Sequence, residues 1–174
     1  MQPSPEVEEL MVRYQQGDGA ASTALIERLS PQLYRFFLAQ VVSRRYADDL
    51  LQETWLRVHQ ARHTWRAGEP LLPWLYALAR HVRVDHYRKA RRVEDRERQV
   101  EELPEKSAAP APERGPDVER MLRELPESQR EVLLMLKVSG MSIEEVARAT
   151  GSSAGSVKQK AHRAYEKLRR WYES

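Results

Sequence analysis

The chain has 174 residues, of which 41% are hydrophobic and 32% charged, and a formal net charge of +3. That balance suits a soluble, globular chain with one ordinary domain or two small ones, rather than a disordered one. There is no cysteine, which excludes disulfides, thiolate catalysis and cysteine-ligated zinc and fits a cytoplasmic protein. Met1 to Leu10 is acidic without an apolar run, and no later stretch approaches a membrane span, so no membrane insertion is expected. Gly is sparse and strand-like alternation is absent, which predicts an all-α protein.

Pro5 to Gln16 reads as a short helix ended by Gly17, Asp18 and Gly19. Ala20 to Val42 reads as a longer one, with Leu25, Ile26, Leu29, Leu33, Phe36 and Phe37 on its apolar side. Pro31 falls inside it and predicts a kink or a boundary. Tyr46 to Ala61 forms a third helix that can bury Leu50, Leu51, Thr54, Trp55 and Val58. Its other face carries Asp48, Asp49, Gln52, Glu53 and Arg57. After a loop from Arg62 to Leu72, a fourth helix starts near Pro73 and runs to Arg92 or beyond, about 30 Å at ~1.5 Å per residue. Leu75, Leu78, Ala79 and Val82 make its apolar stripe.

The character then changes. Glu94 to Asp117 mixes acid, Pro and Ala, and Pro110, Pro112 and Pro116 cannot continue a helix. The expected organisation is a helical domain over 1–92, a flexible linker over 93–117 and a second small helical domain over 118–174. In the second domain Pro126 sits at the first turn of a helix packed by Leu133, Leu134 and Leu136, ended by Gly140.

Ser142 with Glu145 three residues on is a capping box, so another helix starts there. Ile143, Val146 and Ala147 form its buried stripe, and Thr150 with Gly151 stops it. Ser152 or Ser153 caps a last helix that buries Val157, Ala164 and Leu168. Two helices joined by so short a Gly-containing turn predict a helix-turn-helix. The second presents Ser153, Ser156, Lys158, Gln159, Lys160 and Arg163 outward, groups suited to base edges and phosphates. An ordinary helical hairpin with a solvated basic face is the plainer reading. The capping box, turn Gly, Val157 and basic outer face together favour DNA binding.

Charge is unevenly placed. Residues 80–92 carry six Lys/Arg against Asp85, residues 153–170 six against Glu166, and residues 93–119 nine Asp/Glu against four Lys/Arg. Two basic surfaces around an acidic stretch suggest two contacts with a polyanion. On the fourth helix Ala77, His81, Asp85 and Arg88 share one face, with Arg80, Arg83, Lys89, Arg91 and Arg92 around them. The loop position of Trp65 suggests an exposed ring. With Tyr87 and the cations it resembles a platform for single strands, on which rings stack on bases and cations track phosphate. Equally, both rings can be packing aromatics and the Arg run a solvated helix end; these residues leave both readings open.

Taken together the segments resemble a bacterial sigma factor of the sigma-70 family, in its small extracytoplasmic-function (ECF) group. Asp48-Asp-Leu-Leu-Gln-Glu-Thr-Trp-Leu-Arg is similar to the family's core-polymerase-binding helix. Trp65-Arg-Ala-Gly, then Trp74-Leu-Tyr-Ala-Leu-Ala-Arg to Asp85-His-Tyr-Arg, is similar to the segment that opens and reads the −10 element. Leu125-Pro-Glu-Ser-Gln-Arg-Glu-Val-Leu resembles the start of region 4, and Gly155-Ser-Val-Lys-Gln-Lys-Ala-His-Arg-Ala its −35 recognition helix. The resemblance implies that Asp48, Asp49, Gln52 and Glu53 face core RNA polymerase. It implies that His81 and Asp85 read −10 bases and that Trp65 helps hold a flipped base; the basic run of the fourth helix adds Arg80, Arg88, Lys89, Arg91 and Arg92 as expected contacts to the same DNA. Ser153, Ser156, Lys158, Gln159, Lys160 and Arg163 fall on the −35 helix. The implied partners are core RNA polymerase, promoter DNA and an anti-sigma factor. His81 stands where Asn is usual, Ile143 where an aromatic is common, and Lys160-Ala161 where Arg-Leu is usual, departures that bear on which promoter is read.

Two other classes compete. A helix-turn-helix regulator that never joins polymerase would have no use for the acidic-amide face of Asp48 to Glu53. An enzyme would need a site, and none is legible. His59 and His63 are four apart but lack a third ligand at useful spacing, so a solvated pair is expected and no metal or cofactor. No nucleotide-binding glycine loop and no Ser-His-Asp arrangement occurs. Catalysis by this chain alone is not expected.

Overall fold

The computed structural model describes residues 6–41, 43–100 and 116–174. Four helices build the first half: α1 (Glu6–Gln15), α2 (Gly19–Leu38), α3 (Arg44–Ala61) and α4 (Leu71–Val100), with a single 3-10 turn at Arg62–Thr64. Four more build the second: α5 (Pro116–Glu124), α6 (Glu127–Lys137), α7 (Ile143–Thr150) and α8 (Ala154–Glu173). Among the described residues there is no strand, as expected of an all-α chain.

Local chemistry sets the helix ends. The Asp18 carboxylate accepts from the backbone N–H of Ala20 and Ala21 and caps α2, while Arg13 donates to the same carboxylate and ties it to α1. Ser43 caps α3 by accepting from Tyr46 N–H. Pro31 does not end α2, which runs on through it. Pro31 and Glu27, whose carbonyl loses its partner, both lie on the exposed face, where water can satisfy that carbonyl.

The α4 helix continues to Val100, well into the stretch expected as linker. Residues 94–99 contain no Gly or Pro, and their Glu, Arg and Gln side chains favour helix. The rest of the expected linker, 101–115, lies outside the described residues. At its far end α5 begins at Pro116, a residue that suits a first helical turn.

The first core forms where α1, α2, α3 and α4 meet. It buries Met11, Leu25, Leu33, Phe36, Phe37, Leu50, Val58, Leu71, Leu75, Tyr76 and Val82, with Tyr76 edge-on to Phe36 at 5.1 Å. In the second half Val132, Met135, Val146 and Val157 are buried, and a small cluster of Leu125, Leu133 and Ala164 seats α5 on α6 and α8. The two halves are docked. Helix α4 packs on α3 with one face and on α7 with another, so that one apolar cluster spans both.

Candidate nucleic-acid interface

The helix-turn-helix forms by the local signals expected of it. Ser142 Oγ accepts from Glu145 N–H and Glu145 Oε1 from Ser142 N–H, both at 3.1 Å, completing the capping box. Gly151 adopts φ 64°, a left-handed conformation that glycine takes without a Cβ penalty. Ser152 N–H then reaches back to Ala147 O at 3.0 Å and closes the turn. Ser153 rather than Ser152 caps α8, its hydroxyl oxygen accepting from Ser156 N–H at 3.1 Å. Val157, Ala161 and Ala164 turn inward.

On the outer face Lys158, Gln159 and Arg163 are exposed, and Ser156 and Lys160 half-buried. Among the described residues no ion pair claims Lys158, Lys160 or Arg163. Ser153 is the exception to a free outer face, because its oxygen already serves the helix.

On α4 the predicted residues separate onto different faces. His81, Arg88, Lys89, Arg91 and Arg92 are exposed. Asp85 shares the face of His81 and Arg88, but Arg57 of α3 holds it in an ion pair, Nη2 to Oδ2 at 2.8 Å. That contact with Arg57, with the charges of Arg57, Arg88 and His81, keeps the Asp85 carboxyl below its ordinary range against a smaller opposing effect of desolvation.

Arg80 departs from expectation. It lies on the face of α4 turned to the second half of the chain, one turn after Tyr76 and one before Arg83. Its Nε forms an ion pair with Oε1 of Glu131 at 2.7 Å. Arg83, only 9% exposed, pairs with Glu127 and lies 3.9 Å from Glu131. Glu131 is 3% exposed; burial pushes its carboxyl up, against the pull of Arg80 and Arg83. Ser139 donates to the phenol oxygen of Tyr76 at 2.6 Å, and burial holds that phenol up at about 12. In this docked arrangement Arg80 is therefore an interdomain ligand and not a free cation.

Trp65 also departs from expectation: the ring is 3% exposed and belongs to the first core. The chain leaves the turn at Arg62–Thr64 in extended conformation and folds the indole inward, because so large an apolar surface gains most from burial. Gln15 of α1 pins the loop by donating to the carbonyls of Arg62 and Trp65 at 2.7 and 2.8 Å. The expected solvent-facing platform is thus not built on Trp65. The half-buried aromatic at this corner is Trp74, whose indole N–H donates to Thr64 Oγ1 at 3.1 Å. Its place one residue off the Leu71, Leu75 and Leu78 stripe was the signal for it.

Asp48, Asp49, Gln52 and Glu53 are all exposed on α3. Glu53 is not wholly free, since Arg57 Nε lies 3.4 Å from Oε1. Leu56, seven residues after Asp49 on the same face, is 51% exposed, and that spacing would have revealed it. Elsewhere, His59 Nδ1 is 2.6 Å from the Tyr14 hydroxyl. Among the described residues no three His, Asp or Glu side chains gather as a metal site, and no helix is long and apolar enough to cross a membrane.

Comparison with known proteins identifies the family. Residues 25–93 match the family model described as Sigma-70 region 2, and residues 117–168 that described as Sigma-70, region 4. The RNA polymerase sigma factor CarQ of Myxococcus xanthus is 33% identical over 163 residues, 91% of this chain and 93% of the relative. This chain belongs to the ECF sigma factors of the sigma-70 family. The ECF sigma factor SigD of Mycobacterium tuberculosis is 39% identical over 169 residues, 88% of this chain and 77% of the relative. The fold is similar to that of the sigma factor RpoE from Bartonella quintana, solved in complex with the anti-sigma factor NepR, with a TM-score of 0.72 at 23% identity over 87% of this chain and 96% of that one.

The sigma factor is thus a promoter-specific initiation factor that binds polymerase, and its family consists of transcription regulators rather than enzymes. The region 2 match covers the α3 and α4 surfaces that a free-standing helix-turn-helix regulator would lack.

Proposed function

We propose that this sigma factor holds core RNA polymerase through Asp48, Asp49, Gln52 and Glu53, with Leu56 as an apolar contact within that face. It reads separated −10 strands with His81 and Asp85 while Arg88, Lys89, Arg91 and Arg92 neutralise phosphate. Ser156, Lys158, Gln159, Lys160 and Arg163 engage the −35 duplex. The observation that carries this is the exposure of an acidic-amide face on α3, a cationic end on α4 and an unpaired cationic face on α8. Three solvent-facing surfaces of different chemistry suit one protein partner and two stretches of DNA.

Both DNA contacts at once require the halves to part. Elements centred about 25 base pairs apart span about 85 Å of duplex at ~3.4 Å per pair. A compact chain of this length has a radius of gyration of about 16 Å. The docked arrangement is therefore a resting form, and separation would release Arg80 to join the −10 contacts. The sigma factor acts in the cytoplasm, where its promoter and polymerase are, and by itself performs no catalysis. An anti-sigma factor is its expected regulator, a reading supported by the solved neighbour that carries one.

The test is run-off transcription with purified core polymerase on a promoter library, beside co-elution with core. Initiation on a shared subset of promoters, weakened by Glu53→Lys with Asp49→Arg, is expected. Neither co-elution nor initiation on any template would refute the reading.

A further inference from the structure

Arg57 stands between two carboxylates on different helices. Nη2 forms an ion pair with Oδ2 of Asp85 on α4 at 2.8 Å, and Nε donates to Oε1 of Glu53 on its own helix at 3.4 Å. The arginine side chain is 27% exposed, less than either partner at 43% for Asp85 and 47% for Glu53. A guanidinium is a rigid planar fork, so Nε on Glu53 holds the plane that sets Nη2 against one oxygen of Asp85. The ion pair with Asp85 is the shorter contact, and it links two helices.

We infer that Arg57 is a positioning residue for promoter reading: it orients the Asp85 carboxylate on the −10-facing side of α4 from a helix whose outer face meets polymerase. This rests on the assignment of Asp85 to the −10 element. An aspartate on its own samples several rotamers and accepts equally from any donor that approaches. With Oδ2 taken by Arg57, the remaining acceptor capacity of Asp85 points in a fixed direction, so a base donor is accepted only where its geometry fits. Arg57 also offsets negative charge that would repel DNA. Losing it therefore affects which base is preferred, besides the strength of binding.

The experiment uses the holoenzyme and paired templates differing only within the −10 element, read as the ratio of their transcripts at saturating polymerase. Arg57→Ala and Asp85→Ala are each expected to shift that ratio in the same direction, by roughly two- to fivefold, the range of a partly exposed ion pair. The double variant should shift it no further than the larger single change, because both remove one interaction. Arg57→Lys, which keeps the charge but loses the fork, should fall between wild type and Arg57→Ala. Arg57→Gln, which keeps much of the stem, stands in if Arg57→Ala loosens the helix. Polymerase affinity and thermal unfolding are measured alongside; a merely structural role would move these and leave the ratio alone. A ratio shifted by Asp85→Ala but unmoved by Arg57→Ala and Arg57→Gln overturns the inference, as do effects that multiply in the double variant. A ratio unmoved by Asp85→Ala overturns the −10 assignment and the inference with it.

Discussion

The hydrogen bond between Ser139 and Tyr76 offers the cleanest control over domain docking. Tyr76 lies in α4 and Ser139 just after α6, with the hydroxyls 2.6 Å apart at 0% and 7% residue exposure. Tyr76→Phe keeps the ring and its edge-on contact with Phe36 but deprives the buried Ser139 hydroxyl of its acceptor. An orphaned buried hydroxyl costs about 1–3 kcal/mol. At ~1.4 kcal/mol per factor of ten, the docking equilibrium shifts toward the open form roughly five- to 150-fold. While the docked form dominates and only the open form binds productively, apparent affinity for core polymerase tightens by the same factor. Ser139→Ala should act alike, by orphaning the phenol instead. The double variant removes both polar groups and should lie nearer wild type than either single one, since an apolar pair leaves nothing unsatisfied. Titration of labelled protein against core polymerase measures the affinities, and small-angle scattering the radius of gyration. Single variants that lose stability yet leave affinity and dimensions unchanged would refute the docking argument. So would a double variant that simply sums the two.

Three further outcomes are expected. Trp65→Ala should destabilise the first domain by about 3–5 kcal/mol, as truncation of a buried aromatic does, seen as a lowered Tm, with Trp65→Phe milder. Ser153→Ala should cost about 1 kcal/mol of stability through the lost cap, whereas Lys158→Ala should leave Tm unchanged and reduce the log–log salt slope of holoenzyme binding to duplex promoter by about 0.9. Because the Asp85 carboxyl is held low by Arg57, the stability it contributes is present above its ordinary value of 3.8 and is lost as pH falls through its lowered folded value. Acid melting curves of wild type and Arg57→Ala should therefore differ above that window and converge at its acid end.

The sequence by itself determined what depends on neighbours a few residues apart. The Ser142–Glu145 box, the glycine stop at Gly151 and the apolar stripes of α2, α3 and α4 are local signals, and each element formed where they stand. The exposed residues of α3 and α8 were equally legible, because a polar face opposite an apolar stripe has no other place to go. Tertiary structure decided the fate of residues with two possible environments. Trp65 follows a turn, where spacing cannot say whether a ring folds in or out; the space beneath the loop and the Gln15 bridges settle it inward. Arg80 reads as one cation in a basic run, but α4 presents two faces to two domains, and only the buried Glu131, 51 residues away in the chain, claims it. Asp85 likewise lacks a visible partner until α3 crosses α4 and brings Arg57 beside it. Ion pairs of this kind depend on helix crossing and not on periodicity, so no pattern within a single helix carries them.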